Sequence, residues 1–189
     1  MIVKSNEDKI EKIAGHFSEI MKELGLDLND PSLKDTPLRV AKMYVNETCR
    51  ALSHEAPKLT IFPNDQKYDQ MVVVKGITVT SLCEHHFQNI VGKCHVAYLP
   101  KNHLLGLSKF SRVVQHFAAK PQVQERLTQE IANFLVSNLK TKDVAVYLEA
   151  EHHCMKCRGV REDSSTTLTS YMGGLFRDGL RNEFLNAVK

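Results

Sequence analysis

Two short runs dense in cysteine and histidine, Leu82-Cys83-Glu84-His85-His86-Phe87 and His152-His153-Cys154-Met155-Lys156-Cys157, constrain this chain most, because side chains that share one site require the fold to join distant segments. Cys83 and His86 have a C-x2-H spacing that lets two side chains on one tight turn reach a single small ion. The second run adds donors, and thiolate with imidazole is a zinc-favouring set. A lone C-x2-H is most often core filling, since free cysteine is among the most buried residues; the second cluster shifts the balance towards metal. Period two along a strand turns His152 and Cys154 one way and His153 the other. Three ligands, Cys83, His86 and Cys154, would leave an open tetrahedral position, whereas a fourth from Cys157 would close the site and make it structural. His85 and His152 are left over, suited to proton transfer near neutral pH or to supporting the ligands.

The surroundings of these runs set the fold class. Met71 to Ser81 and Asn89 to Leu99 are β-branched and read as two strands joined by the first cluster. Val144, Val146, Leu148, Ala150, His152 and Cys154 alternate along a third strand, and Thr166 to Tyr171 forms a fourth before Gly173-Gly174. Between the pairs, Ser108 caps a helix with the stripe Phe110, Val113, Val114 and Phe117, and Pro121 opens another with Val123, Leu127, Ile131, Phe134 and Leu135. Upstream, Ile13, Ala14, Phe17, Ile20, Met21 and Leu24 mark an amphipathic helix stopped by Gly25. Asp35-Thr36-Pro37 starts a second, carrying Val40, Met43, Tyr44, Ala51 and Leu52. Glu55 to Asp69 reads as loop, and Arg177 to Val188 as a closing helix. Helices first, then two strands, two helices and two strands, is an α+β order rather than a βαβ alternation. The expected division is an N-terminal helical region, 1–70, and a sheet-containing domain, 71–189.

Composition narrows the function classes. The 189 residues carry 25 Lys and Arg against 22 Asp and Glu, a surplus of +3 too small to argue for nucleic acid or an anionic membrane, so any anion site must be local. No apolar run approaches the roughly 20 residues of a membrane span. An odd count of five cysteines and an N-terminus without an apolar signal core point to a reducing cytoplasm. Cys49 and Cys94 read as structural.

Four stretches together carry a family likeness: Leu82 to Phe87, Gly106-Leu107-Ser108-Lys109, Pro121-Gln122-Val123-Gln124-Glu125-Arg126-Leu127-Thr128, and Cys154-Met155-Lys156-Cys157-Arg158-Gly159-Val160. In this order and at these separations, from about Asp35 to the C-terminus, the chain resembles GTP cyclohydrolase I. The resemblance implies the open zinc site on Cys83, His86 and Cys154, with His85 and His152 as proton-transfer residues. It implies hydration of guanine C8, loss of that carbon as formate, and rearrangement of the ribose to give 7,8-dihydroneopterin triphosphate, the first step of tetrahydrofolate and pterin formation. Gln124 and Glu125 match guanine-binding positions. Ser108, Lys109, Arg112, Arg158, Arg39 and Lys42 match positions near the ribose and triphosphate. Unaided, the i, i+3 pairs Arg39/Lys42 and Lys109/Arg112 would read as solvated helix faces, and Glu125 as a carboxylate at the positive end of a helix. The family fold is the tunnelling fold, an antiparallel ββααββ unit with N-terminal helices. Its sheets join into a pentameric barrel, and two pentamers form a homodecamer with active sites between subunits. Cys157 is a departure, expected to be a bystander. The competing expectation is a closed structural zinc module, with Cys157 as fourth ligand, that binds a nucleotide or protein partner without turnover.

Overall fold

A computed structural model describes residues 5–189; the first four residues of the expected N-terminal region lie outside the described residues. The chain forms two compact units, the first ending at His54 and the second running from Glu55 to Lys189. The first unit is helical. Helix α1 (Asn6–Glu23) begins with a reciprocal cap in which Ser5 Oγ accepts from the Asp8 N–H while the Asp8 carboxylate accepts from the Ser5 N–H. It ends where Gly25 takes φ of 76°. Helix α2 (Thr36–Met43) has Pro37 in its first turn, as expected, but the Asp35 side chain makes no capping bond. The helix widens into a π-turn over Tyr44–Thr48 and tightens to a 3-10 turn over Arg50–Leu52 instead of continuing as one α-helix.

The second unit is built on a five-stranded sheet in the order β5-β2-β3-β6-β7. Strands β2 (Val72–Cys83) and β3 (Asn89–Tyr98) form the hairpin that the β-branched runs predict, with a bulge between Val74 and Ile77 where Gly76 has φ of 77°. Strand β6 (Val144–His152) pairs antiparallel with β3 from Tyr98↔Val144 to Ile90↔His152, and β7 (Thr167–Met172) pairs antiparallel with β6. At Gly92 the backbone of β6 comes so close that an added Cβ would stand 2.0 Å from the Glu149 carbonyl oxygen. The residues read as loop include β1 (Ile61–Pro63), which pairs with β4 (His103–Leu105) as a separate two-stranded sheet.

Helices α3 (Leu107–Ala118) and α4 (Gln124–Leu139) contribute to a core against one sheet face, because their apolar residues recur at helical spacing while those of the strands alternate. Phe110, Val113, Val114, Leu127, Ile131 and Leu135 bury against Val79, Cys94, Val96, Val146 and Leu148. Burial pushes the Cys94 thiol up to about 12, so it stays a neutral core group. On the other face Ala97 and Ala145 pack with Phe176, Phe184 and Val188, the last two from α6 (Arg181–Val188).

Three local expectations are corrected. Ser108 lies inside the first turn of α3, whose preceding residue is Gly106, and makes no cap bond. Pro121 opens no helix: Pro121–Gln122 form the short strand β5, parallel to the end of β2, and α4 starts only at Gln124. The third strand ends at His152, and Cys154 rides on the single turn α5 (His153–Lys156). The α+β class and the order of two strands, two helices and two strands are as the sequence predicts, with β5 a parallel addition at the sheet edge.

Candidate active site and metal centre

The end of β2 and the turn after it carry the first cluster. Cys83 is the last residue of β2 and is 5% exposed. Its N–H donates to the Gln88 carbonyl at 2.8 Å, and its own carbonyl accepts from the Phe87 N–H at 2.8 Å, with Phe87 in the left-handed region at φ of 53°. This closed turn folds the histidines back over the strand end. His85 Nδ1 and His86 Nδ1 each lie 3.9 Å from Cys83 Sγ.

The turn is tied to α4 by contacts that sequence reasoning missed. Cys83 is the register partner of Gln122, the Glu84 N–H donates to the Gln122 carbonyl at 3.1 Å, and the Glu84 carboxylate pairs with Arg126. Arg126 Nε also donates to Gln122 Oε1 at 2.8 Å, and Gln122 Nε2 donates to Glu130 at 2.8 Å. The Arg126 guanidinium holds Glu84 below the usual carboxylate range. The other Glu84 oxygen faces His85 Nε2 at 3.7 Å. The available signal was the i, i+4 spacing of Gln122 and Arg126 beside a run that starts with proline.

Because Ile90 at the start of β3 is paired with His152 at the end of β6, the second cluster arrives beside the first. Cys83 Sγ, a His86 ring nitrogen and Cys154 Sγ all lie within 4.8 Å of one another, and these three residues can hold a metal ion. Zinc with ordinary bond lengths in a tetrahedron separates its donors by roughly 3.6–3.8 Å, so the 3.9 Å between Cys83 and His86 is close to ligand spacing. Burial and the Cys83 thiol alongside push the Cys154 thiol up, with Arg158 opposing. Cys157 stands outside this group: it is exposed, and its sulfur lies 3.6 Å from His153 Nδ1. The three donors thus meet through the turn of α5 rather than through strand alternation.

Of the other candidates, His152 is half-buried with Nε2 2.7 Å from Gln124 Oε1. Burial of the ring lowers it below the ordinary imidazole value, opposed by the nearby charge of Glu125. Glu125 itself is exposed in the first turn of α4, while Gln124 beside it is 1% exposed. Ser108 and Arg112 are exposed and Lys109 is half-buried on α3; Arg158 is exposed after α5. Arg39 and Lys42 are exposed on α2 of the first unit, Arg39 pairing with Asp35 at 3.7 Å.

An antiparallel hairpin and two outer strands backed by two helices, with a two-thiol, one-imidazole group at the strand ends, define an α+β protein with a group able to hold a metal ion. The family model of GTP cyclohydrolase I matches residues 13–189. Two curated relatives, the GTP cyclohydrolase 1 proteins of Salmonella gallinarum and Salmonella choleraesuis, are each 52% identical over 187 residues, covering 97% of this chain and 84% of theirs. Among solved structures, the apo form of the archaeosine synthase QueF-Like is similar with a TM-score of 0.46 and 14% identity, over 55% of this chain and 93% of that one. This chain belongs to the GTP cyclohydrolase I family and is an enzyme of that type. No helix among the described residues is long and apolar enough to cross a membrane.

Proposed function

We propose that the chain converts GTP and water to 7,8-dihydroneopterin triphosphate and formate in the cytoplasm, with zinc on Cys83, His86 and Cys154. The observation that carries this reading is the convergence of three donors from two distant segments without Cys157 among them. Zinc held by Cys83, His86 and Cys154 would supply Lewis-acid activation of water near neutral pH. The chain's own groups do the rest. Glu125, at the start of α4, is an acceptor for the N1–H and exocyclic amine of guanine and holds the purine edge. His85 and His152 flank the three donors and move protons as the imidazole ring of guanine opens and the ribose rearranges. Lys109, Arg112 and Arg158 neutralise the triphosphate, and Ser108 in the first turn of α3 hydrogen-bonds near the ribose phosphates.

A homo-oligomer belongs to the same reading. β7 is the last strand of the sheet among the described residues, and its Leu168 is 54% exposed. An open strand edge with an exposed apolar group suits pairing with a further copy, as in the pentameric barrel and face-to-face decamer of the family.

Incubation of zinc-loaded protein with GTP is expected to release formate and, after oxidation, a fluorescent pterin, with ATP giving neither. Stoichiometric zinc with no product from GTP would overturn the assignment in favour of a structural zinc module.

A further inference from the structure

We propose that Gln124 is a positioning residue that locks the His152 ring in one orientation and one tautomer, with the proton on Nε2 and Nδ1 bare. The proposal rests on the reading of His152 as a proton-transfer group. The far end of the amide fixes the near one. Gln124 Nε2 lies 3.1 Å from the Leu148 carbonyl oxygen, 2.9 Å from the Thr167 carbonyl oxygen and 3.2 Å from Thr169 Oγ1. Backbone carbonyls only accept, so this end of the amide is the NH2 group and cannot be the oxygen. Those carbonyls belong to two neighbouring strands, β6 and β7, whose register fixes them. Oε1 therefore faces His152 Nε2, at 2.7 Å. An amide oxygen only accepts, so Nε2 of the ring carries the hydrogen, and a neutral imidazole has no second one for Nδ1.

The third contact agrees with this assignment. Thr128 Oγ1 is 2.9 Å from the Gln124 carbonyl, to which it must donate. The 2.7 Å bond between Thr128 and Thr169 then uses the Thr169 hydrogen, which leaves a lone pair of Thr169 Oγ1 for the Gln124 amide. Donation therefore runs one way, from the ring through the Gln124 amide to the strand backbone. With the side chain 1% exposed and its amide engaged at both ends, Gln124 supports a catalytic group instead of offering that amide to guanine. The guanine edge falls to its neighbour Glu125.

The test is a comparison of Gln124→Met in the wild-type and His152→Ala backgrounds, with kcat, KM for GTP and zinc content measured for each. Expected in the wild-type background is a fall in kcat of about 10–100-fold, the usual effect of losing an orienting partner, with KM within about twofold and zinc retained. In the His152→Ala background the same substitution should cost almost nothing more. A raised KM with kcat preserved would make Gln124 a substrate contact, and an equal loss in both backgrounds would make it only structural; either result overturns the proposal. A neutron map of deuterated, zinc-loaded wild-type crystals at mildly alkaline pH tests the tautomer without any variant: deuterium on Nε2 alone supports it, and deuterium on Nδ1 with Nε2 bare refutes it. Failure of the wild type to release formate from GTP would count against the function proposed above, while the neutron result would still decide the tautomer.

Discussion

Two cysteines three residues apart take opposite characters here because one faces inward and the other does not. Cys154 meets Cys83 and His86 in a donor group, and Cys157 is exposed beside His153. Replacing Cys157 by Ala is therefore expected to leave zinc content and turnover near wild type. Cys83→Ala or Cys154→Ala should lose zinc by at least tenfold in affinity, since two ligands and a water replace three ligands; atomic emission on dialysed protein measures both. Cys94 offers a control. Fully buried and pushed up to about 12, it should resist a thiol reagent that titrates Cys157 within minutes in the native protein.

At the scale of elements, loops hold the sheet by specific side chains. Asp143, just before β6, accepts from the Leu175 N–H at 3.0 Å and the Thr141 hydroxyl at 3.3 Å and pairs with Lys101 at 3.3 Å. Burial alone would raise its carboxyl, but these three partners outweigh it and the group stays below its usual range. A depressed folded-state value means that the stabilisation is complete above the unfolded carboxyl value, near 3.9, and is lost as pH falls through the folded one. Asp143→Asn should thus lower stability at pH 7 by about 1–3 kcal/mol. The gap to wild type should narrow below pH 4, as urea unfolding across pH would measure. Gly92→Ala is the backbone counterpart: a Cβ 2.0 Å from the Glu149 carbonyl forces β3 and β6 apart, with an expected loss of about 1–3 kcal/mol seen as a lower Tm.

Legibility in the sequence follows the range of the forces. The β2–β3 hairpin and the stripes of α3 and α4 are local patterns, and their residues announce them. β5 is two residues held by pairing with the end of β2, so a proline followed by a helical stripe looked like a helix start. The turn of α5 is four residues without periodicity, and alternation carried the strand reading one step too far, past His152. The donor group was nevertheless reachable: donor chemistry pointed to Cys83, His86 and Cys154 while leaving Cys157 open, and the family resemblance selected those three. The Glu84–Arg126 tie and the Gln124–His152 contact were not, since each depends on where α4 sits against the sheet.

At the scale of the whole molecule, the chemistry proposed here draws on α3, α4 and both strand-end clusters, and among the described residues the sheet ends in an open edge at β7. Ten chains of 21.4 kDa would form a particle of about 214 kDa. Light scattering after size exclusion is expected to give that mass, and a monomer that turns over GTP at full rate would contradict the shared-site reading.

The pairing of Ile90 with His152 has one more consequence. A slip of one residue between those strands would turn His152 to the wrong side of the sheet and carry the Cys154 thiol away from Cys83, at the same stroke as it exposed the apolar face. Misassembled molecules would consequently be silent ones, so the yield of product during refolding should report the fraction of chains in correct register more directly than any measure of secondary structure.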